Sequence, residues 1–408
     1  MLTGKTLDNY AELVIKIGIN LQKGQGLEIV CPTEKRNVAA ALAKAGYDAG
    51  AKIVRVRWED EEINKINYLR ADVEALKEVP KWLVDQRNYL VEENFCYVAV
   101  AADDPTAYAN VPPQKLAAVL TARSKALKKY SDNVMNNAIR WCVISVPTLQ
   151  WAKQVFPNSA DPEKDLSEAI EKTMRLNTAN PLGAWRKHVE TLKRRSDFLN
   201  DKNFEYLHFV NNSGTDLMVG LCKNHLWTSA EEKAKDGVPF VANMPTEEIF
   251  TAPHRLKVDG TLVSALPLCE NGQIIDKFKI TFKKGKIVDF SAEKGYETLK
   301  HIIETDKGTR YLGEVALIGK NSPIAKSGIL FYNTLFDENA SCHLAIGKAY
   351  PTTIRGGDKL SKKELNSLGV NDSIEHVDFM IGTPDMTITG IEKDGTKTLL
   401  FVDGEWVI

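Results

Sequence analysis

LEIVCPTEKRNVAAALAKAGYDAGAKIVRVRW, residues 27–58, decides the first half of the fold. LEIVC at 27–31 is a short apolar run, and IVRVRW at 53–58 alternates and is β-branched, so both read as strands. Between them, apolar residues recur at helical spacing from 37 to 49. A strand, a helix and a second strand in immediate succession form the α/β pattern, which implies a largely parallel sheet covered on both faces.

The pattern extends outward in both directions. Leu7, Tyr10, Ala11, Val14, Ile17 and Leu21 predict one amphipathic helix, ended by Gly24 and Gly26. Residues 59–94 read as helices that Pro80 must interrupt or restart. FCYVAVA at 95–101 and WCVISV at 141–146 are further strands, with helical stretches at 114–130, 149–156 and 162–175. A long helix is expected over 181–199, opening on Pro181. The polar turn 200–203 (NDKN) sets the expected domain boundary, giving domains 1–200 and 201–408.

After that the pattern changes. Residues 205–210, 216–221 and 240–250 read as strands, and 274–282 with 287–291 as a hairpin. A helix is expected over 296–305. A second hairpin, 386–392 with 398–402, turns on Asp394-Gly395. The expected fold class is therefore an α/β N-terminal domain with a mostly parallel sheet, plus an α+β C-terminal domain rich in antiparallel sheet.

Composition excludes several functions. The chain has 408 residues, 43% of them hydrophobic and 26% charged, enough to bury a core without covalent staples. Its net charge of -1 gives no bulk attraction for nucleic acid or an anionic membrane. No apolar run approaches the ~20 residues of a membrane span. The N-terminus lacks the pattern of a signal peptide, and six cysteines without a CxxC pair suit a reducing compartment, so a cytoplasmic location is expected. Nucleotide and serine-hydrolase readings fail at the residue level. No G-x-G-x-x-G follows a strand, Asn321 stands where a P-loop needs Ser or Thr, and no G-x-S-x-G occurs.

The chemistry is concentrated in residues 313–378. His376 and Asp378 are two apart, so in a strand they share a face and form a workable metal-ligand pair. His343 and Tyr350 are seven apart; they share a face in a helix, which 337–339 (DEN) could cap, or across a bend. Glu314 lies in the apolar run YLGEVALIG, where a carboxylate is costly unless paired or ligating a metal. Upstream, Glu247 and Glu248 would face opposite sides of a strand, and periodicity does not choose between them. Taken singly, each of these residues has an ordinary packing or salt-bridge role open to it. Imidazole and carboxylate together are ligands that zinc, cobalt and manganese accept.

The segments NMPTEEIFTAP (243–253), LGEVALIG (312–319), FYNTLFDENASCHLAIGKAY (331–350) and HVDFMIG (376–382), in this order, resemble the metallo-aminopeptidase family of aminopeptidase T and aminopeptidase S. The opening helix, LEIVCP at 27–32 and SGTDLMVGL at 213–221 carry the same resemblance, so it spans essentially the whole chain. It implies two divalent metal ions per chain (zinc, cobalt or manganese), held by Glu248, Glu314, His343, Tyr350, His376 and Asp378. It also implies catalytic roles for Glu314 and Tyr350, peptide substrates with a free N-terminus, and a homodimer. Glu314 is the expected bridge between the ions. Glu247, Glu338 and Glu375 are the candidates for the carboxylate that carries the proton to the leaving amine. Two other readings compete: a two-metal hydrolase of another ester or amide, and a peptide-binding scaffold without catalysis.

Overall fold

The computed structural model describes residues 2–102, 107–108, 110–270 and 273–408. The chain forms two compact units: Met1–Lys187 with Glu231–Pro245, and His188–Ala230 with Thr246–Ile408.

The first unit is built on a five-stranded parallel sheet in the order Ile53–Glu59, Gly26–Pro32, Cys96–Ala101, Trp141–Ser145, Asn243–Met244. Six consecutive residues of Gly26–Pro32 are buried, as expected of a strand covered on both faces. The helix Arg36–Asp48 is the crossover between the first two strands and buries Val38, Ala39 and Leu42. Pro80 restarts the chain as a helix, Lys81–Glu92, after Val73–Lys77 ends. The expected opening helix is real over Gly4–Leu13 but passes into a wider π-type turn at Val14–Gly18. One buried strand residue is charged: Glu28 Oε2 accepts from Arg87 Nη1 at 2.7 Å, and both side chains are buried.

In the second unit a nine-stranded antiparallel sheet contains both expected hairpins, Gln273–Lys283 with Lys286–Lys294 and Thr387–Ile391 with Lys397–Val402. A separate four-stranded antiparallel sheet has the order Ile249–Thr251, Leu312–Leu317, His343–Gly347, His376–Met380. The fold class is as expected, a mostly parallel α/β unit and a unit rich in antiparallel sheet.

One local expectation fails for an identifiable reason, and one open alternative is decided. The single strand expected over 240–250 is three short ones, Pro239–Val241, Asn243–Met244 and Ile249–Thr251. Pro245 has no N–H for a ladder, and the chain changes sheets there: 243–244 pair in parallel with Trp141–Ser145, and 249–251 pair antiparallel with Leu312–Leu317. Of the helix and the bend open to the segment from His343 to Tyr350, the structure has the bend: the strand His343–Gly347 ends at Gly347, whose φ is +105°. A Cβ there would lie 2.2 Å from Glu375 O, so only glycine fits this bend. Among the described residues no helix is long and apolar enough to cross a membrane.

Removing one half of the buried Glu28–Arg87 pair should cost more than removing both. Arg87→Leu is expected to destabilise the first unit by about 3–5 kcal/mol, because Glu28 is left uncompensated. The double variant Glu28→Leu/Arg87→Leu should recover most of that loss, read from urea-unfolding midpoints.

Candidate metal centre

The four-stranded sheet brings the titratable residues together by register. Glu314 stands opposite Ala345, and Ala345 opposite Asp378. His343 pairs with Ala316, and Gly347 with His376. Residues directly opposite, and residues two apart on one strand, share a face. Glu314, His343, His376 and Asp378 therefore project from the same side, and the positions between them are Ala316, Ala345 and Gly347. Small residues there leave the space into which the longer side chains converge.

Glu314 is aimed by an irregularity. The pairing steps from Leu312↔Ile346 to Glu314↔Ala345, so Gly313 is an extra residue in its strand. A bulge of this kind bends the strand and redirects the next side chain. A Cβ on Gly313 would lie 2.4 Å from the carbonyl oxygens of Gly347 and Lys348, which restricts the position to glycine.

Glu248 enters from the segment just before Ile249–Thr251, and its Oε2 lies 3.3 Å from His343 Nε2. Glu314 faces two histidines with two different oxygens: Oε1 is 3.5 Å from His343 Nε2 and Oε2 is 3.8 Å from His376 Nε2. Asp378 Oδ1 lies 3.2 Å from His376 Nε2 and accepts no hydrogen bond. The result is two triads with ligand-type atoms within 4.8 Å of one another, Glu248–Glu314–His343 and Glu314–His376–Asp378, which share Glu314. Tyr350 follows the bend at Gly347; its ring centroid is 4.9 Å from that of His376 and 6.4 Å from that of Phe250.

Both imidazoles are oriented from behind. His376 Nδ1 lies 2.7 Å from Lys348 O and His343 Nδ1 lies 3.4 Å from Ser341 O. A carbonyl at Nδ1 selects the tautomer with Nδ1–H and leaves Nε2 directed into the cluster.

The electrostatics are those of carboxylates crowded away from water. Burial, reinforced by Asp378 and Glu248, pushes Glu314 up to about 7 even though His343 opposes it. Glu338 is raised well above the usual carboxylate range by burial and then by Glu248 and Asp378, which puts a fourth carboxylate beside the triads. Burial works to lower His376, but Asp378 and Glu314 outweigh it and hold it at about 10. Tyr350 is raised by burial and then by Glu314, Asp378, Glu338 and Glu248. Among the described residues no Lys or Arg forms an ion pair with Glu248, Glu314, Glu338 or Asp378. Protons on the histidines and on a carboxylate hold these charges together. A divalent cation would take their place, and the oxygen and imidazole donors suit zinc, cobalt or manganese.

Other sequence candidates lie elsewhere. Glu247 points to His188, whose Nε2 is 3.6 Å from Glu247 Oε2. Glu375 bears electrostatically on Glu270. His254 Nδ1 accepts from Leu256 N–H within the strand Pro253–Val263, and Arg355 lies beside His225. Burial pushes the Cys31 and Cys96 thiols up to about 11, which makes neither a ready nucleophile. Asn339, which the sequence offers only as part of a helix cap, is instead fully buried beside Glu338, one of the three carboxylate candidates. An uncharged amide sandwiched between a glutamate and an apolar run was the only local signal.

Comparison with known proteins follows the same lines. Residues 3–406 match the family model described as thermophilic metalloprotease (M29). Aminopeptidase 2 of Geobacillus stearothermophilus is 44% identical, and aminopeptidase AmpS of Bacillus subtilis 42%, each over 98% of both chains. The structure of wild-type AmpT from Thermus thermophilus superposes with a TM-score of 0.92 at 36% identity, covering 99% of both chains. A 2,5-dihydroxypyridine dioxygenase from Pseudomonas putida shares the fold alone, with a TM-score of 0.55 at 14% identity over 99% of this chain and 98% of its own.

The small residue at the centre of the face is open to test. Ala345→Val would put methyl groups between Glu314 and Asp378. An overpacking penalty of about 1–3 kcal/mol should weaken divalent-ion binding by roughly 5- to 150-fold in a calorimetric titration.

Proposed function

The chain belongs to the thermophilic metalloprotease (M29) family, and from that membership we propose that it is a metallo-aminopeptidase, releasing N-terminal amino acids from peptides with a free amino terminus. One observation carries the reading at the level of residues: Glu314 turns one oxygen to His343 and the other to His376 inside a buried cluster that has no Lys or Arg partner among the described residues. Glu248, Glu314 and His343 would hold one divalent ion, and Glu314, His376 and Asp378 the other, with Tyr350 as the sixth residue of the set. Zinc, cobalt and manganese all suit these donors. When bound, the pair of ions supplies Lewis acidity and a water of lowered pKa.

The protein's own groups do the rest. Glu314 sets the spacing of the two halves. Lys348 O and Ser341 O keep both imidazole Nε2 atoms turned inward. Of the three carboxylates considered for proton transfer, Glu338 is the one whose titration responds to Glu248, Glu314 and Asp378 together. We assign it to take the proton from the attacking water and deliver it to the leaving amine. Tyr350, kept protonated by burial and the surrounding carboxylates, is assigned to meet the carbonyl oxygen as charge develops on it. A homodimer and a cytoplasmic location extend the same reading, the first supported by the family resemblance and the second by six cysteines, five of them buried.

The test is to strip the protein with chelator, reload it with zinc, cobalt or manganese, and offer free and N-acetylated peptides. Activity should vanish and return with an ion, and the acetylated peptides should resist cleavage. Equal cleavage of both would refute exopeptidase action, and a chain that binds no divalent ion would favour a scaffold. Glu338→Gln should lower kcat by about 10²–10⁴-fold while the metal content stays unchanged.

A further inference from the structure

Glu248 and Glu338 reach the same cluster from chain segments that meet at a single side chain. Asn339 is 0% exposed. Its Oδ1 accepts from the backbone N–H of Glu247 at 2.8 Å, the residue immediately before Glu248. Its Nδ2 donates to Leu335 O at 3.1 Å and lies 3.5 Å from Glu338 Oε1. One face of the amide thus fixes the segment that delivers Glu248, and the other fixes the turn that delivers Glu338.

The Glu247 segment needs such a fastening. Residues 246–248 lie between two short strands that belong to different sheets, so the ladder of neither holds them. Their backbone is held from the other side as well, where His188 Nε2 meets Thr246 O at 2.8 Å. The Glu338 turn is equally short: the helix Thr334–Asp337 runs into a 3-10 turn, Glu338–Ala340, which leads directly to His343. A planar amide with an acceptor on one side and donors on the other can serve both segments at once. A carboxylate would serve only the first, and an apolar isostere neither.

We propose that Asn339 is a positioning residue that sets the separation between the Glu248 side of the metal centre and the Glu338 carboxylate. It does this by clamping residues 247 and 335–338 to one amide. The inference rests on the functional reading above for the role of Glu338, but its consequence for metal affinity does not.

Two substitutions separate the halves of the clamp. Asn339→Asp keeps the acceptor for Glu247 N–H and replaces the donor facing Leu335 O and Glu338 with a second acceptor. Asn339→Leu removes both. With cobalt or zinc titrated into metal-free protein by calorimetry, Asn339→Leu should weaken ion affinity by about 10–100-fold and Asn339→Asp should not weaken it. In peptide hydrolysis at saturating metal, Asn339→Asp should lower kcat by about 10–100-fold with KM within threefold of the parent. Circular dichroism checks whether each variant is folded. If Asn339→Leu fails to fold, Asn339→Ser, which is small and polar, replaces it in the titration with the same expectation.

An Asn339→Asp variant with parental kcat would overturn the proposal, as would an Asn339→Leu variant with parental ion affinity. Loss of kcat and ion affinity in equal measure in Asn339→Asp would reduce the residue to general support of the fold and also overturn it. A parent that binds ions but cleaves no peptide would refute the aminopeptidase reading. The clamp would then be decided by the affinity of the Leu variant alone.

Discussion

Four carboxylates share one buried space with no lysine or arginine paired to them among the described residues, and most of the second unit can be read as a response to that. Taking a single carboxylate out of water costs several kcal/mol, and bringing a second beside it adds repulsion in a medium that screens poorly. The cluster meets this with two histidines, each touching two of the carboxylates or their shared member Glu314. The strain of the arrangement is visible in opposite shifts: burial and its neighbours lift Glu314, and the carboxylates hold His376 charged against the same burial. A divalent cation held among these oxygen and imidazole donors would relieve both.

The sheet is arranged to withstand this demand. On the face away from the cluster, Val315, Leu344 and Phe379 form a single cross-strand row. Phe379 packs edge-on against Phe278 of the larger sheet at 5.6 Å between ring centroids. One face of the small sheet is therefore anchored in core while the other holds polar groups. Small residues and two glycines, Gly313 and Gly347, give the backbone its bulge and its bend. These features do not add ligands; they aim the ligands already present.

Much of this was legible from residue order. Turn residues between strand-like runs marked the hairpins, and His376 and Asp378, two apart, share a face once their segment is a strand. The βαβ rhythm gave the parallel sheet. What stayed hidden depends on contacts between distant residues. Pro245 ends one strand, but nothing local says that the chain then joins another sheet. The short strand 243–244 lies with the first unit, to which residues 231–245 are tied by Arg140 to Asp236 and Asn137 to Glu232, contacts that span 96 and 95 residues. Glu247 and Glu248 have equal claims by periodicity; His188 on one side and His343 on the other distinguish them. The seven-residue spacing of His343 and Tyr350 left a helix or a bend open, and only the close approach of Gly347 to the Glu375 carbonyl shows why the chain bends.

The proposed function requires Glu314 to join two ion sites into one centre. Titration of metal-free protein with cobalt, followed by calorimetry and metal analysis, tests it for the wild type and for Glu314→Ala. Two ions per wild-type chain, with both sites weakened together in Glu314→Ala, is the predicted result. A single ion per chain, or a Glu314→Ala variant that binds two ions with wild-type affinity, would contradict it.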